Sequence, residues 1–307
     1  MKPIIYIDGQ EGTTGLQIHD RLRGRNDITL LTIEESKRKD SAARQELIHA
    51  ADIVFLCLPD DAAREAVILA EGSKARIIDA STAHRTAPNW VYGLPELMSG
   101  QRKSIAAATR VANPGCHATG FLTAVKPLTA ADILPPDYPL VCFSMTGYSG
   151  GGKRMIADYE GGNAPSAPGL YGLTQEHKHI PEMMAVAALS RQPIFCPIVD
   201  DYYAGMAVTV ALHSALLRGC PDAAAVRDTM AAYYKDAHFI HVSPQLGAGT
   251  LFADYGIGTN HLELTVAGTN DEITITARFD NLGKGASGAA VQNMNIMLGL
   301  AEWMGLD

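Results

Sequence analysis

The residues best suited to chemistry lie in one short run, residues 112–120, where a cysteine stands between a turn and a helix-like segment. Asn113-Pro114 is a turn-initiating pair, and Gly115 lets the backbone turn tightly. Cys116 then lies at or just before a helix N-terminus, where the helix dipole and unpaired N–H groups favour an anion. A thiolate in that place has a lowered pKa and can act as a nucleophile. The alternative is a structural cysteine in the core, because free cysteines are commonly buried.

Two histidines, His177 and His179, stand far downstream in a loop-rich segment. Residues two apart in an extended chain face the same side, so both imidazoles could serve one site. A cysteine together with a histidine suits acyl transfer through a thioester. The pair could instead hold zinc together with Cys116 or Glu182, since imidazole, thiolate and carboxylate are all zinc ligands. In the acyl-transfer interpretation we expect no metal at the site.

A glycine-rich turn follows the first apolar run, residues 4–7, and precedes a helical pattern. Strand, glycine-rich turn and helix together form the context in which glycines indicate a dinucleotide site. The spacing here is Gly-x-x-Gly-x-x-Gly, a variant of the usual pattern, and it would let a pyrophosphate approach the helix N-terminus. Glu11 in this turn is expected to point to solvent. The predicted cofactor contacts of the turn are Gly9, Gly12, Thr13, Thr14 and Gly15.

A run of mixed charge follows the second predicted strand, residues 28–33. Glu34 and Glu35 could bind a ribose 2′-hydroxyl, as an acid in this position does in NAD sites. Lys37 and Arg38, followed by a further lysine, would instead bind a 2′-phosphate, which favours NADP(H) as the cofactor. A solvated charge run at the start of a helix is the alternative interpretation.

Strands and helices alternate up to the cysteine, and the strands are almost continuously apolar. This pattern predicts an α/β fold with a Rossmann-type, doubly wound parallel sheet covered by helices on both faces. Ligands of such sheets bind at the carboxyl ends of the strands, which makes Cys57, Pro59 and Ser81 cofactor candidates, although Cys57 also suits the core. The predicted strands are 4–7, 28–33, 53–58, 76–79 and 105–108, and the predicted helices after the glycine turn are 41–50 and 60–70.

Beyond Cys116 the pattern changes to strands in which apolar and polar residues alternate, with a hairpin signal at residues 268–271. We therefore expect an α+β catalytic domain with a mostly antiparallel sheet. Residues 1–115 would form the dinucleotide-binding domain, completed by a C-terminal helix within 286–307, and residues 116–285 the catalytic, substrate and oligomerisation domain. The predicted elements are strands 140–145, 193–197, 206–213, 238–242, 260–267 and 272–278, helices 181–189 and 286–304, and a flexible polar stretch at 158–172.

The composition excludes several classes of function. The 307 residues carry a formal net charge of −8, which argues against binding to nucleic acid or to an anionic membrane surface. The sequence has no apolar run long enough to span a bilayer. Five cysteines without a Cys-x-x-Cys pair suit free thiols in a reducing, cytoplasmic setting better than disulfides or structural zinc.

Four blocks of the sequence resemble the N-acetyl-gamma-glutamyl-phosphate reductase family, in order and over essentially the whole chain. The chain is similar in length to the family's shorter subtype, and the expected fold is like that of aspartate-semialdehyde dehydrogenase. Two residues depart from the family's pattern: His117 stands where Tyr or Phe is usual, and could alter the charge at the thiol, and Lys178 stands where Arg is usual. The blocks are Asn113-Pro114-Gly115-Cys116-x-Ala118-Thr119-Gly120, Tyr92-Gly93-Leu94-Pro95-Glu96, His177-x-His179-x-Pro181-Glu182 and Asp280-Asn281-Leu282-x-Lys284-Gly285-Ala286-x-Gly288.

The resemblance implies an oxidoreductase of arginine biosynthesis. It would reduce N-acetyl-L-glutamyl 5-phosphate with NADPH to N-acetyl-L-glutamate 5-semialdehyde and phosphate, through a thioester on Cys116. His177 would be the acid–base group and His179 would orient or bind the substrate, although the sequence does not separate the two roles. Asn281 and Lys284 would face the cofactor, and the chain would form a homo-oligomer, either a dimer or a tetramer. Candidates for the substrate's carboxylate or phosphate are Arg85, Arg110, Asn113 and Lys153.

Two other classes of function stay open at this point. A zinc-dependent hydrolase would use the His177 and His179 pair, but it would leave the dinucleotide turn without a role. A non-catalytic NADP-binding sensor would leave the cysteine and histidines without one. Stoichiometric zinc in purified protein would favour the hydrolase, and cofactor binding without thiol-dependent turnover would favour the sensor.

Overall fold

The structure, a computed structural model, describes residues 2–306, which divide into two compact units. The first unit runs to Pro114 and resumes at Ala286, and the second unit is Gly115–Gly285. Within the described residues no helix has the length and apolar character that a membrane span requires. The helices are α1 Thr13–Leu22, α2 Ser41–Ala50, α3 Asp60–Leu69, α4 Gln101–Ala107, α5 Cys116–Ala130, α6 Gly152–Asp158, α7 Ile180–Ala187, α8 Ala223–Tyr233 and α9 Gly288–Met297. The strands are β1 Ile4–Asp8, β2 Thr29–Leu31, β3 Ile53–Leu56, β4 Arg76–Asp79, β5 Val91–Tyr92, β6 Arg110–Ala112, β7 Val141–Gly147, β8 Gly169–Leu170, β9 Ile194–Asp200, β10 Met206–His213, β11 Ile240–Val242, β12 Leu262–Gly268 and β13 Glu272–Phe279.

The first unit is built on a six-stranded parallel sheet in the order β2-β1-β3-β4-β6-β5. Helices α2 and α3 pack together on one side, where Ile48 and Ala63 bury against Val54 and Leu56. Helix α9 packs against α1, α4 and β4. The two groups of helices cover both faces, which confirms the doubly wound α/β fold. The strand order reverses between β1 and β3, and such a switch point is where open parallel sheets bind ligands.

The prediction of a strand at residues 105–108 is wrong, because these residues complete and follow helix α4. Gln101 and Ile105 are buried while the residues between them are not, which is the spacing of one helix face. The side-chain amide of Gln101 donates to the carbonyl of Tyr92 and so anchors the helix to β5. The strand that precedes the cysteine is β6, which begins two residues after the predicted one ends. A short apolar run cannot by itself distinguish a strand from a buried helix segment.

The last helix is shorter than the predicted 286–304, since α9 ends at Met297. Gly299 has φ +69°, and its N–H donates to the carbonyl of Ile296, while the Leu300 N–H donates to that of Asn295. This pair of bonds is the Schellman arrangement, which ends a helix at a glycine with positive φ. Apolar residues recur at helical spacing beyond Gly299, which is why the sequence predicted a longer helix than the one that forms.

The second unit is built on a mixed seven-stranded sheet in the order β11-β12-β13-β10-β7-β9-β8. Four of its six strand pairs are antiparallel, so the mostly antiparallel sheet and the hairpin between β12 and β13 are confirmed. The stretch 158–172, predicted to be flexible and polar, contains a helical turn and the short edge strand β8. The sequence reading did not identify helix α8, which packs on β12 and α5.

Helix α5 lies directly on one face of this second sheet. A Cβ on Gly120 would come within 2.4 Å of a methyl group of Val208 and 2.9 Å of the ring of Phe279. The absence of a side chain at Gly120 therefore allows the helix backbone to approach the sheet closely. That close packing holds the N-terminus of α5, and with it Cys116, in a fixed place.

Candidate active site

Cys116 is the first residue of α5 and follows Gly115 at the N-cap, which confirms the predicted place of the thiol at a helix N-terminus. The Gly115 N–H donates to Oε2 of Glu182 over 3.2 Å, and Glu182 is buried in the first turn of α7. This bond joins the start of α5 to the start of α7. A Cβ on Gly285 would lie 2.9 Å from the Cβ of Cys116, so only a glycine fits where the chain passes the cysteine.

Both predicted histidines lie next to this helix start. The rings of His177 and His179 are 4.8 Å apart between centroids, and His179 is buried while His177 is half-buried. The Sγ of Cys116 and one ring nitrogen each of His117 and His179 lie within 4.8 Å of one another. The ring of His177 is 5.4 Å from that of His117. The structure therefore brings the thiol and three imidazoles into one cluster.

The hydrogen bonding of His177 indicates where its proton lies. The backbone N–H of His179 donates to Nδ1 of His177 over 3.3 Å. A neutral imidazole that accepts a bond at Nδ1 carries its proton on Nε2. His177 thus has an N–H that can be donated, on a ring that is half open to solvent.

His117 belongs to the site. From the sequence it was noted only as a departure from the family's pattern, and it was not among the predicted site residues. Its Nδ1 lies 2.6 Å from Oγ of Ser144, and its Nε2 lies 2.7 Å from the hydroxyl of Tyr171. Burial, with smaller contributions from His177 and Lys178, lowers the pKa of His117 to about 3. The ring is therefore neutral at about pH 7. From the sequence His117 could alter the charge at the thiol, but a neutral ring adds no charge there.

The predicted glycine turn lies at the switch point of the first sheet. Gly9 has φ +87°, and a Cβ there would lie 2.4 Å from the carbonyl oxygen of Cys57. A Cβ on Gly15 would lie 2.4 Å from the carbonyl of Gly9. Helix α1 begins at Thr13, so the N–H groups of its first turn are directed at the turn. Only glycines fit at these two positions of the tight turn, because a Cβ would collide with neighbouring backbone atoms. A tight glycine turn at a helix N-terminus fits a bound pyrophosphate.

The other predicted cofactor residues on this edge are held by neighbouring groups. The Cys57 N–H donates to the carbonyl of Asp8, which keeps the end of β3 beside the glycine turn. Burial, with nearby Asp79 and Asp8, raises the pKa of the Cys57 thiol, which disfavours the nucleophilic thiolate form. Pro59 is the N-cap of α3. Ser81 donates from its N–H and its hydroxyl to Asp79, whose carboxylate is also 2.6 Å from Nδ1 of His84.

The basic run after β2 is paired locally with acids. Lys37 lies 3.3 Å from Glu34, and Arg38 lies 2.7 Å from Glu35. Arg38 also lies 3.8 Å from Glu11 of the glycine turn. Among the described residues, this ion pair is the one that joins the basic run to the turn. Glu11 is exposed, as expected. Arg38 is therefore the basic residue best placed to reach a cofactor at the turn.

The candidate substrate residues have different surroundings. In the first unit, Arg85 donates to the carbonyl of Asn113, and the buried Asn113 amide bonds to Ala286 and Asn293. Arg110 lies over the ring of Trp90, 5.9 Å from its centroid. In the second unit, Lys153 is exposed in α6.

The predicted cofactor residues Asn281 and Lys284 are both buried. The Asn281 side chain accepts from the N–H of Gly205 and donates to Oγ of Ser149. The Nζ of Lys284 lies 5.6 Å from the centroid of the Phe239 ring. Asn281 thus holds two loops of the second unit together, and its contact with a cofactor stays a prediction, as does that of Lys284.

Comparison with known proteins follows this division of the chain. Residues 5–106 match the family "Semialdehyde dehydrogenase, NAD binding domain", and residues 116–281 match "Semialdehyde dehydrogenase, dimerisation domain". The chain is 47% identical to N-acetyl-gamma-glutamyl-phosphate reductase 2 of Nostoc sp., over 99% of both chains. It is also 47% identical to the protein of that name from Pseudomonas putida, over 98% of both chains.

The chain belongs to the N-acetyl-gamma-glutamyl-phosphate reductase family. Like the rest of this reductase family, it is an oxidoreductase with an NAD(P)-binding domain. Its fold is also that of aspartate semialdehyde dehydrogenase II from Vibrio cholerae, with a TM-score of 0.74 and 18% identity over 97% of this chain and 99% of that one. At that identity the likeness concerns the fold alone.

The neutral, buried His117 predicts how the reductase responds to acid. Its folded pKa, about 3, lies below the unfolded value, so the unfolded chain binds more protons as the pH falls below about 6.5, and the fold loses stability. Between about pH 7.5 and pH 5 this loss should be roughly 2 kcal/mol. His117→Phe should remove that part of the pH dependence, as measured by urea unfolding at both pH values. Equal pH dependence in wild type and His117→Phe would contradict the assignment.

Proposed function

We propose that this chain reduces N-acetyl-L-glutamyl 5-phosphate to N-acetyl-L-glutamate 5-semialdehyde and phosphate in arginine biosynthesis, with NADPH as the reductant. The observation that carries the proposal is the thiol at the N-terminus of α5 with the rings of His177 and His179 beside it. The near full-length similarity to reductases of that name supports the substrate. We further propose that the enzyme works in the cytoplasm, where the pathway's thiol chemistry stays reduced.

The chemistry starts at Cys116. Its thiolate attacks the acyl phosphate carbonyl, the C–O bond to phosphate breaks, and phosphate leaves with the bonding electrons, so that a thioester remains. Bound NADPH supplies the hydride that reduces the thioester carbonyl. The hemithioacetal that results on Cys116 loses the sulfur as thiolate and releases the semialdehyde. The N-terminus of α5 favours the thiolate at the first and last of these stages.

His177 is the residue to which we assign the acid–base role. The Nε2–H of neutral His177 can donate a hydrogen bond to the oxygen that gains charge when hydride arrives. In its imidazolium form the ring can pass that proton to the oxygen and take it back when the hemithioacetal collapses. His179 is buried beside the thiol and is better suited to hold the substrate than to exchange protons with solvent. A zinc-dependent hydrolase would use the same residues but would have no use for the glycine turn, and membership of the reductase family argues against it.

The decisive assay runs in reverse. Purified protein with N-acetyl-glutamate semialdehyde, phosphate and NADP⁺ should generate NADPH, followed by absorbance. Cys116→Ser should abolish this turnover and leave the affinity for NADP(H) within a few-fold, because a hydroxyl does not supply a low-pKa nucleophile. Cys142→Ser is the matched control, since Cys142 is buried and burial raises the pKa of its thiol. Near-wild-type turnover by Cys116→Ser would refute the thioester route.

The preference for NADPH over NADH rests on the basic run after β2. A 2′-phosphate makes charge-assisted hydrogen bonds that the free ribose of NADH lacks. Glu34 and Glu35 oppose it, but each is already paired with a base of the run. Arg38, with its contact to Glu11 of the glycine turn, would supply the main interaction with the phosphate.

Arg38→Ala should therefore raise the KM for NADPH by about tenfold, equivalent to about 1.4 kcal/mol, and hardly change that for NADH. Lys37 carries the same charge but makes no ion pair with the turn among the described residues, so Lys37→Ala should change the KM for NADPH much less. Steady-state kinetics with both cofactors checks this. If Arg38→Ala weakens both cofactors equally, or neither, the run is only a solvated surface.

The second unit also has a surface suited to self-association. Phe143 and Met145 are exposed on the face of its sheet opposite α5, and the register places Cys196 and Ile198 of β9 beside them. An exposed apolar sheet face of this kind marks an interaction surface. Together with the match to a dimerisation domain, it supports a homo-oligomer in which two copies meet through this face.

Phe143→Arg should weaken this association, because an interface must bury the new charge without a partner. Light scattering coupled to size-exclusion chromatography should show a smaller species than the wild type at the same concentration. Ile68→Arg places the same charge on an exposed apolar position of α3, and it should leave the mass unchanged. An unchanged mass for Phe143→Arg would place the interface elsewhere.

A further inference from the structure

The cluster around Cys116 has the composition and spacing of a metal site as well as that of a catalytic one. The Sγ of Cys116 and one nitrogen each of His117 and His179 lie within 4.8 Å of one another. Thiolate and imidazole are the ligands that zinc prefers, and a tetrahedral zinc ion holds such atoms roughly 3.3–3.8 Å apart at its usual bond lengths. The three side chains would therefore need to close by up to about an ångström to bind one ion.

His117 already has the kind of supporting hydrogen bond that a metal-ligating histidine makes. A ligating histidine almost always bonds an oxygen through its other ring nitrogen, which fixes the ring and the tautomer. His117 has such an oxygen on each side, from Ser144 and from Tyr171. Binding through either nitrogen would replace one hydroxyl partner and keep the other as the supporting bond.

Access also favours a metal. His117 and His179 are both buried, so a metal there has few competing waters, whereas Cys116 is only partly buried and leaves a path for entry. The ring of His177, which is 4.8 Å from that of His179 between centroids, is half-buried.

We propose that Cys116, His117 and His179 form a reversible binding site for a zinc ion, and that zinc bound there blocks the thiol. Cys116 binds as the thiolate, and any proton still on its sulfur passes to solvent. A zinc–sulfur bond and two zinc–nitrogen bonds form, waters leave the ion, and no group is oxidised or reduced. The fourth position stays open to water. The site stands on its own geometry, and only the loss of turnover on zinc binding rests on the proposed reductase function.

Binding is measured first, without any assay of activity. Equilibrium dialysis of the purified full chain against Zn²⁺, with metal analysis, should give about one zinc per chain. Cobalt(II) should give a near-ultraviolet thiolate-to-metal charge-transfer band that is absent from Cys116→Ser. That band reports the bond to sulfur directly in the wild-type fold, so it tests the site even if a histidine variant folds poorly.

The histidine ligands are tested by substitution. His117→Phe fills the space of the ring but cannot coordinate, and it should raise the dissociation constant for zinc by at least about tenfold, since loss of a mere supporting partner already costs 10–100-fold. His241→Phe is the matched control, because His241 lies 3.0 Å from His261 in an exposed pair that could also hold a metal. Equal affinity in wild type and His117→Phe, loss of binding in His241→Phe, or a cobalt spectrum without the thiolate band would each overturn the proposal.

Turnover is then followed in the reverse assay. Micromolar zinc should inhibit, excess chelator should restore the rate, and Mg²⁺ at the same concentration should have no effect because it prefers oxygen ligands. His117→Phe should lose zinc sensitivity when each enzyme is compared with its own zinc-free rate. Zinc binding with the cobalt thiolate band in a protein that shows no reductase turnover would refute the proposed function and leave the metal site standing.

Discussion

The thiol site depends on one hydrogen bond, that from the N–H of Gly115 to the buried carboxylate of Glu182. A buried carboxylate is costly unless it accepts hydrogen bonds, and an N–H at a helix start has no partner within its own helix. The hydrogen bond therefore gives the Glu182 carboxylate a donor and the Gly115 N–H an acceptor. Because Glu182 is in the first turn of α7 and His179 directly precedes that helix, the same bond sets the distance between the histidines and Cys116.

The parts of the site that could be predicted are those whose geometry is local. A cysteine after Asn-Pro-Gly must sit near a helix start, and two histidines two positions apart must lie close together, whatever the rest of the fold. The role of His117 could not be predicted, because its partners, Ser144 on β7 and Tyr171 beside β8, come from distant segments. Its neutral state follows from burial, which no single stretch of sequence reports.

In the fold, too, features set by local sequence could be predicted, and features set by contacts between distant segments could not. The near-continuous apolar strands and the glycine turn were enough to predict a doubly wound sheet. The error at residues 105–108 arose because Ile105 and its neighbouring alanines suit a strand or a helix, and only the buried contact of Gln101 with Tyr92 decides between them. Arg38 was one of several equivalent bases in sequence, and its contact with Glu11 singles it out.

The central claim is that Cys116 carries the acyl group as a thioester, and trapping that intermediate tests it most directly. The protein is mixed with N-acetyl-glutamyl 5-phosphate in the absence of NADPH, quenched in acid, digested and examined by mass spectrometry. The account predicts one N-acetylglutamyl group on the peptide containing Cys116, removable by hydroxylamine, and none on the exposed Cys220. The account would be contradicted if the Cys116 peptide stayed unmodified without NADPH while the same protein and substrate showed full turnover once NADPH was added.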